Sequence, residues 1–163
     1  PGSGTFVAGP PLPAQMAGAV MAPLPDGKVL IAGGNLTGSP TSAQTTARLY
    51  DPVTGSFSTT GSMGTARNSA AAAPLPDGRV LVVGGTDGTN SWSSAEIFDP
   101  QTGTFATTTS LPTTRYGATA AALPDGRVLL EPDGVPDNGA RRRDRWNPYE
   151  RKDTCGRGLW NVQ

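Results

Sequence analysis

Short apolar runs recur along the chain at nearly constant spacing. "VLIA" (29–32) and "VLVV" (80–83) are each entered through Pro-Asp-Gly and left through a pair of glycines, Gly33-Gly34 and Gly84-Gly85. Four-residue runs rich in β-branched side chains between turn signals predict strands covered on both faces. "PDG" places Pro at the second turn position, Asp at the third and Gly where φ is positive. That chemistry joins the strand before it to the strand after it as a hairpin. The glycine pairs end those strands where bulky side chains would block close backbone approach. "YDPVTG" and "FDPQTG" read as a second turn, leading into a strand that carries Phe57 or Phe105. Four strands per repeat follow. The stretches before the first turn, "AGAVMA", "SAAAA" and "ATAAA", raise the possibility of helix because Ala is the best helix former. They are too short to stand as helices and end at proline or a tight turn, so they are assigned to innermost strands, where converging sheets leave room for small side chains only.

The register is tight. Phe6, Phe57 and Phe105 each precede the Leu of "LPDG" (Leu24, Leu75, Leu123) by 18 residues, and that motif recurs after 51 and then 48 residues. "ARLYDPVTGSF" (47–57) matches "AEIFDPQTGTF" (95–105), so the difference in period is confined between the glycine pair and that segment, which marks a surface loop. Self-similarity at such a period identifies supersecondary units that bury their core against neighbours.

Composition agrees with this reading and narrows the chemistry. Among 163 residues, 22 Gly and 16 Pro fit an all-β chain with many turns. Formal net charge is zero, although seven Lys/Arg against three Asp/Glu follow from Arg141 onward. There is no secretory-type apolar segment and no run long enough to cross a bilayer, which favours a soluble chain, an excised or mature piece. A single cysteine, Cys155, excludes an internal disulfide framework and a Cys-cluster metal site. Histidine is absent, which removes Ser-His-Asp and Cys-His catalysis and the commonest transition-metal ligand. No cofactor and no metal are expected.

The apolar strand ending in Gly-Gly, the aromatic-Asp-Pro turn (Tyr50 and Phe98 its aromatics) and the following aromatic (Phe57, Phe105), at about 50 residues per unit, resemble the kelch repeat, a blade of a β-propeller. The resemblance covers roughly Gly4 to Leu130 and is closest to the bacterial kelch-like variety. It implies two well-formed four-stranded blades (14–64 and 65–112) and a degenerate third (113–156). Residues 1–13 would be the outer strand of a preceding blade and 157–163 a tail. Kelch repeats often carry Arg and then His at the start of the innermost strand. Arg67 and Arg115 fit, Met16 replaces the Arg in the first unit, and no His follows. The resemblance extends to galactose-oxidase-like enzymes, whose copper site needs His, Tyr and a Tyr–Cys crosslink that this chain alone cannot supply.

The third unit departs from the pattern after Leu130. Counting in the register of the second unit places Trp146-Asn147-Pro148 where Phe98-Asp99-Pro100 stands, with Arg143, Asp144 and Arg145 replacing Ala95, Glu96 and Ile97. Buried unpaired charge is expensive there. Either the tail is a divergent, solvated edge, or the residues from Glu131 include an out-of-frame translation of a normal repeat. Three units do not close a ring of about 4–8 blades, so open edges invite self-association or marginal folding.

Asp26, Asp77 and Asp125 recur at matching places and are turn residues, as are Asp51 and Asp99. Arg67 and Arg115 are candidates for contact with an anionic ligand, against a structural role in bonding between blades. "RRRDR" (141–145) lacks interleaved aromatics, which makes nucleic acid an improbable partner. "TDGTNSWSS" (86–94) falls where propellers place ligand contacts, with Trp92 a stacking residue and Asp87, Asn90 and, from the other loop at 35–46, Asn35 beside it. The resulting expectation is a non-catalytic binding module for protein or glycan. The rival is a fragment of a larger secreted carbohydrate-active, galactose-oxidase-like enzyme with its catalytic residues elsewhere, and a gene remnant without function is a third possibility. The bacterial relatives' Thr/Ser/Gly/Ala-rich repeats favour an extracellular or cell-surface location.

Overall fold

The computed structural model describes residues 9–11, 16–36 and 41–131, together with the backbone of 158–161. Among these residues there is no helix, and hence none long and apolar enough to cross a membrane. Two antiparallel sheets each follow the chain in simple order. The first contains β1 (Val20–Pro23), β2 (Val29–Ala32), β3 (Ala47–Asp51) and β4 (Ser56–Thr59); the second contains β5 (Ala71–Pro74), β6 (Val80–Val83), β7 (Ala95–Asp99) and β8 (Thr104–Thr108). A third sheet is built from β9 (Thr119–Ala122), β10 (Arg127–Glu131) and β11 (Gly158–Asn161) in the order β11-β10-β9.

Turn chemistry sets these hairpins. In the first sheet the Gly27 N–H donates to the Leu24 carbonyl at 3.0 Å and the Leu24 N–H to the Lys28 carbonyl at 2.8 Å. The loop between them is the three-residue kind that needs a left-handed residue at its end, and Gly27 takes φ 84°. Asp26 adds an Asx bond, accepting the Lys28 N–H at 3.1 Å. The same pattern recurs at Asp77-Gly78 and Asp125-Gly126. The β7–β8 hairpin turns on Asp99, whose Oδ1 accepts the Gln101 N–H at 2.8 Å while its carbonyl accepts the Gly103 N–H at 2.8 Å.

The alanine-rich segments are strands. β1, β5 and β9 form the edges at which successive sheets pack against one another. Because side chains alternate between faces, the middle sheet contributes to two cores. Val80, Val82 and Phe98 face the first sheet and join Ala22, Leu30, Ala32 and Met63. Leu81, Val83, Ala95 and Ile97 face the third sheet and join Val128 and Leu130. Phe98 is fully buried, so its burial alone stabilises this junction by about 1.5–3 kcal/mol. Its ring lies 4.9 Å, centroid to centroid, from that of Phe105, and Tyr50 and Phe57 repeat the pair at 4.9 Å in the first sheet.

The third sheet differs from the register obtained by counting. Val128 pairs with Trp160 as Val80 pairs with Phe98, and Leu130 pairs with Gly158 as Val82 pairs with Glu96. The backbone position expected for Asp144 is thus taken by Gly158, and the aromatic-Asn step in that register is Trp160-Asn161. Trp146-Asn147-Pro148 and the Arg141–Arg145 run lie outside the described residues.

Candidate functional site

The glycine-pair ends of β2 and β6 and the starts of β5 and β9 share one end of the sheets. The loops there are held by long-range backbone bonds. Gly34 N–H donates to the Arg67 carbonyl at 2.8 Å and Gly85 N–H to the Arg115 carbonyl at 2.7 Å, which stitches each sheet to the next. A Cβ at Gly33 or Gly84 would collide with those same carbonyl oxygens of Arg67 and Arg115, and both glycines take φ 70°. This close approach is the physical reason for the glycine pairs.

Beneath this face lies a buried ion pair. Arg67 is 1% and Glu96 2% exposed. All five guanidinium N–H groups go to protein acceptors. Nη1 donates to the Gly84 carbonyl at 2.7 Å and the Ser94 carbonyl at 2.9 Å, Nη2 to Ser94 Oγ at 2.9 Å and Glu96 Oε1 at 3.0 Å, and Nε to Glu96 Oε1 at 3.3 Å. Glu96 in turn accepts the Gly64 N–H at 2.6 Å and the Thr65 N–H at 3.1 Å, clamping the segment that joins the first two sheets. At the positions matching Gly64, the other two units carry Pro13 and Pro112, which have no N–H to offer. Correspondingly, Arg48 and, by backbone register, Gly158 stand where Glu96 does. Among the described residues, a buried carboxylate at this position is found in the second unit, where Gly64 supplies the N–H that proline lacks.

The loop at 86–92 is organised by its own hydrogen bonds. Asp87 Oδ1 accepts the N–H groups of Thr89 at 2.8 Å and Asn90 at 2.6 Å, and Oδ2 accepts Asn90 Nδ2 at 3.1 Å. These bonds, that from the Asn90 N–H foremost, hold the Asp87 carboxyl below the usual carboxylate range. Thr86 Oγ1 donates to the Asn90 carbonyl at 2.6 Å and accepts the Gly88 N–H at 3.0 Å. The exposed surface of this loop is Gly88-Thr89-Asn90. Trp92 lies half-buried at its base, its indole Nε1 donating to the Ala66 carbonyl at 3.1 Å. Asn35 Oδ1 accepts from Asn68 Nδ2 at 2.8 Å, and Asn68 forms a backbone bridge with Thr86.

Of the residues singled out from the sequence, Asn35, Asp87, Asn90, Trp92 and Arg115 therefore lie at one end, on neighbouring loops, and Arg67 lies inside. Arg115 is partly buried, its N–H donating to the Trp92 carbonyl at 2.9 Å. Three further residues share this end. Asn68 bridges the two loops, while Tyr116 (41% exposed) and Leu36 (45% exposed) present apolar surface. Tyr116 directly follows Arg115 in an aromatic-Gly pair that the sequence displayed, but only the fold places it beside the 86–92 loop.

The opposite end carries a cleft of about 320 Å³ between the first two sheets, lined by Asp26, Asp77, Arg79 and Asp99 among others. Its acids are committed to their turns. Asp26 pairs with Lys28 at 2.8 Å and Asp77 with Arg79 at 2.6 Å. The Lys28 ammonium holds the Asp26 carboxyl below its ordinary value; at Asp77 burial opposes the shift, and the Arg79 backbone and side-chain bonds outweigh it.

Residues 67–112 match the model of the Kelch motif. No curated protein sequence matches significantly. Among solved structures, the chain is similar to a fungal alcohol oxidase of the AA5 family in complex with copper, with 26% identity and a TM-score of 0.63. That likeness covers 76% of this chain and 28% of the oxidase, so the chain spans less than a third of that protein's length. The residues present do not fit copper. The sequence has no histidine, and among the described residues no group of three or more His, Cys, Asp or Glu is placed to hold a metal ion. Glycine pairs against neighbouring carbonyls, aromatic-Asp-Pro turns, sheets stacked on alanine-rich inner strands and the Kelch match together make the described sheets blades of a kelch-type β-propeller.

Proposed function

We propose that this chain is a non-catalytic interaction module that binds a protein or glycan through the loop face carrying Asn35, Asp87, Asn90 and Trp92, extended by Tyr116. The observation that supports this reading is the pre-organised 86–92 loop. Its turn is held by Asp87 and Thr86 while Gly88-Thr89-Asn90 stay exposed, so little ordering entropy remains to oppose binding. A half-buried indole and an exposed phenol beside polar amides are the combination that stacks on a sugar ring or grips a peptide side chain. Arg67, with every donor engaged, supports this face from below rather than reaching a ligand.

The test is a glycan and peptide array probed with the intact chain. Capture that falls at least about tenfold in Trp92→Ala and in Asn90→Ala, with the circular dichroism spectrum unchanged, supports the module. Trp92→Phe separates ring stacking from the Nε1 bond to Ala66, since it keeps the ring and loses the donor. Binding unaffected by all three would place the site elsewhere.

The likeness to the AA5 oxidase favours a second reading. These blades would serve as part of a larger secreted carbohydrate-active oxidase whose copper ligands lie outside this chain. Alcohol oxidation by a longer gene product, and none by this chain supplied with copper, would support it.

A further inference from the structure

Two asparagines of this chain precede serine, in Asn68-Ser69 and Asn90-Ser91. A small residue after asparagine leaves its backbone nitrogen open to attack the asparagine side-chain carbonyl carbon, a route by which asparagine is thermolabile. The fold puts the two pairs in opposite circumstances. Asn68 is 7% exposed, its N–H donating to the Thr86 carbonyl at 2.8 Å and its carbonyl accepting the Thr86 N–H at 2.9 Å. The Ser69 N–H, whose nitrogen would attack, donates to the Gly18 carbonyl at 2.8 Å. The Asn68 side-chain amide donates to Asn35 Oδ1 at 2.8 Å. Ring closure at Asn68 therefore requires the inner ends of two blades to part.

Asn90 stands on the exposed part of the 86–92 loop. Thr86 and Ser91 face each other in an isolated bridge, whose hydrogen bonds run from the Asp87 N–H to the Asn90 carbonyl at 3.1 Å and from the Trp92 N–H to the Gly85 carbonyl at 2.8 Å. The Ser91 N–H takes no part in them and has no acceptor among the described residues. The side-chain amide is held by one exposed bond, from Asn90 Nδ2 to Asp87 Oδ2 at 3.1 Å. Turning that side chain toward the Ser91 nitrogen breaks this bond and leaves the two bridge bonds in place.

We propose that Asn90 is a site of spontaneous deamidation, that the fold protects Asn68 from the same reaction, and that the product at Asn90 loosens the loop. The Ser91 nitrogen forms a bond to the Asn90 side-chain carbonyl carbon and gives up its proton. The bond from that carbon to Nδ2 breaks, and ammonia leaves carrying the proton. Water then opens the five-membered succinimide at either carbonyl, yielding aspartate or isoaspartate, and nothing is oxidised or reduced. Either product sets a carboxylate against Asp87 where the amide donor stood, so like charges repel and Asp87 Oδ2 loses its hydrogen bond. Isoaspartate also lengthens the main chain by one methylene just ahead of Trp92.

Peptide mapping by mass spectrometry on the intact chain, incubated in mildly alkaline buffer and sampled over time, tests this. Trypsin cuts after Arg67, Arg79 and Arg115, so Asn68 and Asn90 fall in separate peptides, 68–79 and 80–115. Asn90 should deamidate at least about tenfold faster than Asn68, because Asn68 reacts only when the blades open. In urea the two pairs should react at similar rates, which assigns the difference to the fold rather than to the local sequence. Asp87→Ala, which frees the Asn90 amide, should speed the reaction at Asn90 and leave Asn68 unchanged. A second measurement does not depend on ageing the protein: Asn90→Asp should speed amide exchange at Thr89, whose N–H is held by Asp87. Equal rates at Asn68 and Asn90 in native buffer overturn the proposal. So does a difference that persists in urea, an Asp87→Ala chain that deamidates as wild type does, or an Asn90→Asp loop with unchanged exchange.

Discussion

Arg67→Met is the sharpest test of how the blades are joined, because the first unit already carries Met16 at the matching position. The substitution leaves the Glu96 carboxylate 97–98% enclosed with two backbone donors, Gly64 and Thr65, and no countercharge. It also strips the Gly84 and Ser94 carbonyls of the Nη1 donor. Removing one member of a buried pair costs about 3–5 kcal/mol, which in a chain of this size lowers the unfolding midpoint by roughly 6–20 °C. Replacing both members with apolar residues is often neutral, but here Arg67→Met with Glu96→Leu should not recover wild-type stability. The N–H groups of Gly64 and Thr65 would lose their acceptor; Gly64 is exposed and Thr65 half-buried, so water replaces part of it and the loss is about 1 kcal/mol in all. Urea unfolding followed by tryptophan fluorescence, at fixed chain concentration, measures the series. An Arg67→Met loss below about 1 kcal/mol, or a double variant as stable as wild type, would refute the clamp.

Other expectations rest on single features. Gly84→Ala should cost more than about 2 kcal/mol, because a Cβ there meets the Arg115 carbonyl. Gly27→Ala, with similar positive φ but open space around it, should cost only the roughly 1–2 kcal/mol of the left-handed backbone, and equal losses would sink the close-approach argument. Asp87→Ala should leave the melting midpoint within a few degrees yet speed amide exchange at Thr89 and Asn90, whose N–H groups it frees; unchanged exchange would show that the loop is not held by that carboxylate. Stability should be nearly flat from pH 5 to 8, since no histidine titrates there. The carboxyls of Asp26, Asp51, Asp87 and Asp125 have folded pKa values below their ordinary ones, so their contribution is present above about pH 4 and is lost as pH falls through the folded values. A melting midpoint that drops between pH 7 and 5.5 would contradict this.

What the sequence determined by itself is local or periodic. Pro-Asp-Gly and Asp-Pro-x-Thr-Gly specify their turns through neighbouring atoms, and the 18-residue step from Phe57 to Leu75 and from Phe105 to Leu123 sets the unit length, so strand order and the two complete blades were legible from one chain. The tertiary structure alone decided the long-range partners. Arg67 could be read as a ligand contact or as a brace until the fold brought Glu96 and Ser94 to it, and Glu96 had no evident role until Gly64 and Thr65 lay against it. Tyr116 and Asn68 joined the loop face only because inner strands begin where the second strands end. The third blade shows the limit most directly. Counting assumed a connection as short as in the second unit and selected Asp144, whereas β10 pairs with Gly158–Asn161. Closing a longer loop costs only about 0.6 kcal/mol per doubling of its length. Strand choice is therefore decided by what fits the waiting edge, and spacing along the chain has little power to fix it.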